Sequence, residues 1–230
     1  MVTTILFDLD GTLLPMDQDK FVKSYLSRMA AKLAPQGFDP DLLVKGIWKG
    51  TGAMVKNDGL RSNEEVFWDV FNAAIGKDCR KYEELFLDYY RNEFQGVAQD
   101  CGFDPRAAEA ISEIKALGYR VGLATNPLFP SIATYSRAKW AGLNPDDFEI
   151  ITTYENSRHC KPNPDYYRDI LATLDVKPEN CVMVGNDVQE DMVAESLGMK
   201  VFLLTVAIDL VEVHIETHNY FPSFFTGLLR

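Results

Sequence analysis

Apolar positions along the chain follow two different rhythms. From about residue 104 to 205, short continuous apolar runs (YRVGLA at 119–124, FEII at 148–151, CVMV at 181–184 and KVFLL at 200–204) alternate with longer segments of helical periodicity. Helix signals sit at the expected places. Asp104-Pro105 and Asn163-Pro164 are N-cap and first-turn pairs, and Gly118, Gly142 and Gly198 close the helices expected to end there. A further helix is expected over 188–198. Short buried strands separated by helices predict βαβ units and a parallel sheet, a doubly wound α/β fold.

From 16 to 103 the rhythm is helical throughout. Val22, Leu26, Met29, Ala30 and Leu33 recur at i, i+3 and i+4, as do Val66, Phe67, Val70, Phe71 and Ala74, with a capping box at Ser62-Asn63-Glu64-Glu65 ahead of the second set. Leu85, Phe86, Tyr89 and Tyr90 mark another helix. The stretch 46–59 (GIWKGTGAMVKNDG) reads as a glycine-punctuated loop between helices. The expected organisation is an α/β core made of 1–15 and 104–230, with a helical domain, 16–103, inserted after the first strand.

Composition narrows the function. The 230 residues are 47% hydrophobic, enough for a sizeable core, and carry a formal net charge of −11. Such a chain repels nucleic acid and anionic membranes, and a phosphate site on it needs local cations. Cys79, Cys101, Cys160 and Cys181 fall at no metal-ligand or CxxC spacing, which predicts reduced thiols in a cytoplasmic protein. No apolar run approaches the roughly 18 residues of a membrane span.

The chemistry gathers at strand ends. The first strand, TILF, runs into Asp8 and Asp10, whose i, i+2 spacing aims both carboxylates to one side, and Gly11 then permits a sharp turn. Two like charges so close call for a cation, a proton-transfer role, or both. The next strands end in Thr125-Asn126 and, after a loop, Lys161-Pro162. The 181–184 strand ends in Gly185-Asn186-Asp187, with Asp191 a turn further on. In open parallel sheets ligands bind beyond the carboxyl ends of the strands, so these groups should converge. His159 and Cys160 read as loop and packing residues, and His214 and His218 carry no ligand pattern.

In this order the motifs resemble the haloacid dehalogenase superfamily, on its phosphatase side: Asp8-Leu9-Asp10-Gly11-Thr12 first, then Thr125, Lys161, and Asn186-Asp187 with Asp191. The resemblance implies a Rossmann-like core with 16–103 as a helical cap. It implies Asp8 as nucleophile, Asp10 as general acid and base, Thr125 and Lys161 as catalytic groups that also bind the phosphoryl group, and Asn126 completing the anion cradle. It further implies Mg²⁺ held by Asp8, the Asp10 backbone carbonyl, Asp187 and Asp191. The chain departs from the family pattern at Asn186, where many members have aspartate. Asp187 is then the expected direct ligand, and Asp191 either a second ligand or the group that orients Lys161 or a metal-bound water.

The implied function is a Mg²⁺-dependent phosphatase of a small phosphorylated metabolite acting through an aspartyl phosphate. A phosphomutase shares the same core site. A dehalogenase is disfavoured by Asp10. Of the other classes, a phospho-aspartate signalling receiver lacks an inserted cap, and a silent binding protein would be expected to have lost Asp8, Asp10 or Lys161. Specificity is expected in the 46–59 loop, with Lys56 and Asn57 as substrate-binding residues.

Overall fold

A computed structural model describes residues 1–204; His214 and His218 lie outside the described residues. Four parallel strands, β1 (Thr4–Phe7), β2 (Arg120–Leu123), β3 (Cys181–Gly185) and β4 (Lys200–Leu203), form a sheet in the order β2-β1-β3-β4. Every residue of β1 and β3 is buried, which accounts for their unbroken apolar runs. Thr4 aligns with Arg120 on one side and Cys181 on the other. The chain passes from β1 to β2 on one side and returns to β3 on the other. The switch point therefore lies beyond the carboxyl ends of β1 and β3.

Two elements of the α/β core differ from the sequence reading. Residues 148–151 lie along β2 through the Leu123–Ile151 bridge and a Glu149 N–H to Val121 carbonyl bond of 2.9 Å, but form no full strand. The expected 188–198 helix is a 3₁₀ turn over Met192–Leu197. Its first turn is pre-empted by Asp187, whose carboxylate accepts the N–H groups of Gln189 and Glu190. Aspartate competing locally for backbone donors is a known brake on helix propagation.

The core helices are α5 (Arg106–Ala116), α6 (Ser131–Trp140) and α7 (Pro164–Leu174). The stretch between β1 and α5 holds α1 (Gln18–Leu33), α2 (Pro40–Val55), α3 (Asn63–Ile75) and α4 (Glu83–Arg91), with caps from Asp17, Asp39 and a full Ser62–Glu65 capping box. An aromatic cluster holds these helices together: Phe21, Tyr25, Trp68, Phe71, Phe86 and Phe94 are all buried. Each such side chain contributes about 1.5–3 kcal/mol of transfer free energy. The outgoing and returning chains run side by side, with Met16 bridged to Cys101 and the Gly102 N–H bonded to the Pro15 carbonyl at 2.7 Å.

The expected loop at 46–59 is a correction: residues 46–55 belong to α2. Its glycines serve close packing. A Cβ at Gly46 would lie 3.0 Å from Ile75, and one at Gly50 only 2.6 Å from Phe67. The i, i+4 glycines form a seam onto α3, and the packing they allow offsets their low helix propensity.

Candidate active site

Strand β1 delivers Asp8 to the sheet edge, where its N–H bonds the Val184 carbonyl of β3 at 2.8 Å. The following turn folds back on itself, with the Leu9 carbonyl accepting from Thr12, Leu13 and Leu14. That turn brings Thr12 Oγ1 to 3.2 Å from Asp8 Oδ2 and 3.1 Å from Asn186 Oδ1.

Lys161 comes from the loop ahead of α7, which Asn163 caps by accepting from the Asp165 N–H. The Lys161–Pro162 peptide is cis. The lysine side chain is fully buried, and its Nζ donates to Asp8 Oδ1 at 2.8 Å and Asp191 Oδ1 at 2.6 Å. Burial works against its charge, but the carboxylates of Asp8 and Asp191 outweigh it and keep the ammonium protonated well above the usual lysine range. Two carboxylates share this one cation. Burial accordingly pushes both Asp8 and Asp191 above the ordinary value of 3.8, against the pull of Lys161.

Asp191 is also held from behind, its Oδ2 accepting the Asp187 N–H at 3.0 Å. A Cβ on Gly185 would fall 2.1 Å from that oxygen, so only glycine leaves room for it. Both Asp191 oxygens thus accept protein hydrogen bonds, and one of them orients Lys161. Asp187 is more open: one oxygen caps the turn at Gln189 and Glu190, and the other has no partner among the described residues.

Thr125 ends the chain beyond β2. Its carbonyl is pinned by Thr152 Oγ1 at 2.6 Å and Tyr166 OH at 2.9 Å, while its hydroxyl has no protein partner among the described residues. Asn126 does not offer its side chain to the site. Its Nδ2 donates to Glu190 Oε2 at 3.1 Å and lies 3.5 Å from the Lys161 carbonyl, which leaves only its backbone N–H for an anion.

Of the 46–59 stretch, Ile47, Trp48 and Thr51 line a cavity described below, but Lys56 and Asn57 lie elsewhere. Asn57 is buried, with Nδ2 bonded to the Arg61 carbonyl and Asn63 Oδ1 and its own Oδ1 accepting from Gly59. Lys56 is the exposed C-cap of α2. Neither lines the cavity at the site, which corrects their expected role. The 56–63 segment instead docks on the core, with the Asn63 N–H bonded to the Ser157 carbonyl and Asn63 Nδ2 reaching Cys160 Sγ.

Sequence reasoning missed Arg137. This α6 residue is 1% exposed, and its guanidinium is paired with Asp10 Oδ2. It packs 4.5 Å over the Phe129 ring, while Asp10 Oδ1 and Arg137 Nε are buried without partners. A cue was available: Arg137 falls on the helix face of Ala133, Thr134 and Ala138, all buried. Asp10 in turn borders a cavity of about 270 Å³ between the sheet edge and α1–α4. Glu190, held by Asn126 and half-buried, was also unforeseen; burial raises its carboxyl above the ordinary value.

The donor set suits a hard divalent cation. No three His, Cys, Asp or Glu side chains among the described residues form a ready-made cage. Mg²⁺ needs none, since it keeps several waters and takes one or two carboxylates with substrate oxygens. Asp8 and the open oxygen of Asp187 meet that requirement.

The haloacid dehalogenase-like hydrolase family model matches residues 2–196. The chain is 23% identical over 199 residues to the pyrophosphatase PpaX of Bacillus velezensis, covering 86% of this chain and 81% of that protein. A phosphatase from Thermococcus onnurineus superposes with a TM-score of 0.58 at 23% identity, covering 92% and 90% of the two chains. A family enzyme from Bacteroides thetaiotaomicron, solved with magnesium and inorganic phosphate, gives 0.57 at 16% identity, covering 93% and 99%. No helix among the described residues is long and apolar enough to cross a membrane.

Proposed function

The chain belongs to the haloacid dehalogenase-like hydrolases, and from that premise we propose that it is a Mg²⁺-dependent phosphatase working through a phosphoryl group carried on Asp8. The observation that carries this reading is the buried Lys161 ammonium shared by Asp8 and Asp191. A lone lysine buried on a nucleophile-capable carboxylate provides the fixed charge that a phosphoryl dianion needs in so acidic a chain.

Thr125 Oγ1 and Lys161 Nζ hold the phosphoryl oxygens. An Asp8 oxygen attacks phosphorus as the ester P–O bond breaks, and Asp10 passes a proton to the leaving oxygen. In the second half Asp10 takes a proton from water as it attacks phosphorus. The bond to Asp8 breaks, and inorganic phosphate leaves. Mg²⁺, held by Asp8, the Asp10 carbonyl and Asp187, would supply further charge neutralisation. The Bacteroides neighbour's magnesium and phosphate support that cofactor.

Residues 16–103 act in this reading as the cap over the site, and a cytoplasmic setting accords with four free cysteines. The test is phosphate release from a panel of phosphorylated metabolites with Mg²⁺ and with chelator, together with mass detection of a phosphorylated Asp8 peptide in acid-quenched protein. Release that ignores chelation, or turnover by Asp8→Asn, sinks the mechanism. Isomerisation of a sugar phosphate without release assigns the site to a mutase instead.

A further inference from the structure

The phosphatase reading leaves the alcohol half of the substrate unassigned, and the cavity beside Asp10 bears on it. We propose that this cavity is the leaving-group site, and that it selects monoesters of uncharged apolar alcohols, aromatic ones above all, while rejecting leaving groups that are themselves anionic. The inference rests on the phosphatase reading.

Four observations carry it. First, the cavity reaches the chemistry directly, because Asp10, the proposed acid, forms part of its wall. Second, that wall is largely aromatic, with Phe21, Trp48, Phe67, Trp68, Phe129 and Tyr154 among its members. The tyrosine hydroxyls nearby are already engaged: Tyr25 OH and Tyr90 OH share a hydrogen bond of 3.0 Å, and Tyr89 OH donates to the Tyr25 backbone carbonyl at 2.8 Å. The wall therefore offers mainly ring faces, with the Trp68 indole N–H, partnerless among the described residues, as a neutral donor.

Third, the charges are of the wrong sign for an anion. Among the described residues, the charged groups lining the cavity are Asp10 and Glu83, and no lysine, arginine or histidine lines it. Arg137 lies close by, but it is committed to Asp10 and packed between Phe129 at 4.5 Å and Phe21 at 6.0 Å. A second phosphoryl group or a carboxylate would enter with no countercharge and lose its hydration. Fourth, the volume of about 270 Å³ sits just under the ~300–1,000 Å³ common for small-molecule sites, which suits one compact ring system. Similarity to a pyrophosphatase supplies the opposing hypothesis, since the leaving group of pyrophosphate is an anion.

The experiment compares kcat/KM for 1-naphthylmethyl phosphate, methyl phosphate, pyrophosphate and phosphoglycolate in Mg²⁺. The two esters of uncharged alcohols are both alkyl, so leaving-group acidity does not separate them. The naphthylmethyl ester should exceed pyrophosphate and phosphoglycolate by about 100-fold or more, within the range over which an apolar pocket discriminates. Trp48→Lys, at a half-exposed wall position, should shift the naphthylmethyl-to-pyrophosphate ratio toward pyrophosphate by roughly tenfold. Pyrophosphate or phosphoglycolate turned over as well as the naphthylmethyl ester overturns the inference and leaves the phosphatase reading standing. No release from any ester overturns the phosphatase reading. Calorimetry of 1-naphthalenemethanol on Asp8→Asn protein then still interrogates the cavity, and absence of binding there overturns the inference independently.

Discussion

Arg137 holds Asp10: the guanidinium of a residue 1% exposed grips one carboxylate oxygen, and the other oxygen stays buried without a partner. The pair fixes the proposed acid at the wall of the apolar cavity. Arg137→Met should cost about 3 kcal/mol in chemical denaturation, because it strands a carboxylate beside aromatic rings. Arg137→Lys should recover only part of that, lacking the planar fork and the stacking on Phe129. In a cycle with Asp10→Asn the coupling should be roughly 1–3 kcal/mol. Additive losses would mean that the two side chains do not act as a pair.

Asp8→Asn should abolish turnover yet stabilise the metal-free protein. Burial raises the Asp8 carboxyl above 3.8 in the folded state. Below that pH the group is protonated in both folded and unfolded chains, and the variant gains nothing. As pH rises above 3.8 the unfolded chain releases its proton first, so the wild type loses stability until the folded carboxyl has also ionised. The variant, with Lys161 balanced by Asp191 alone, escapes that loss. In chelator at neutral pH its Tm should be higher by roughly 2–4 °C, with no difference near pH 3. A lower Tm at neutral pH would show that the Lys161 pairing outweighs burial.

Lys161→Met removes the one cation that, among the described residues, Asp8 and Asp191 share. It should destabilise the fold by about 3–5 kcal/mol at pH 7. The deficit should shrink as pH falls, since both carboxyls, already raised by burial, take up protons sooner in the folded state. Urea titrations at pH 4.5 and 7 measure this, and an equal deficit at both would argue for lost packing rather than stranded charge.

Asp187 and Asp191 should separate by their phenotypes. Asp187→Ala should raise the Mg²⁺ concentration for half-maximal activity with little change in Tm. Asp191→Ala should lower kcat and Tm together, because it frees Lys161 Nζ and the Asp187 N–H. A metal requirement raised more by Asp191→Ala than by Asp187→Ala would reverse the assignment.

The α2–α3 seam offers a test of the fold. Gly50→Ala would push a methyl to 2.6 Å from Phe67 and should cost about 1–3 kcal/mol. Gly52→Ala meets nothing within 4 Å and should instead stabilise the helix by about 0.5–1 kcal/mol. If both glycines responded alike in thermal melts, close packing would not be the reason for Gly50.

What the sequence determined by itself was the part written in local pattern. Unbroken apolar runs between capped helices specify a parallel sheet, and a parallel sheet carries the residues after each strand to one edge. Asp8 and Lys161 were therefore legible as members of one sheet edge, where the structure pairs them. The capping box at Ser62 and the Asn163-Pro164 start were legible for the same reason: each involves residues within one turn of the other. Tertiary structure decided what depends on partners distant in the chain. Gly46 and Gly50 look like loop residues until Phe71 and Phe67 are packed against them. Asn57 looks like a substrate ligand until Asn63 and Arg61 take up its amide. Arg137 shares a helix face with Ala133, Thr134 and Ala138, but only the fold sets it on Asp10, 127 positions away. Periodicity reports which face of an element is buried, but not which side chain waits on the other side, and it is there that Asp10 was oriented and the cavity took its apolar character.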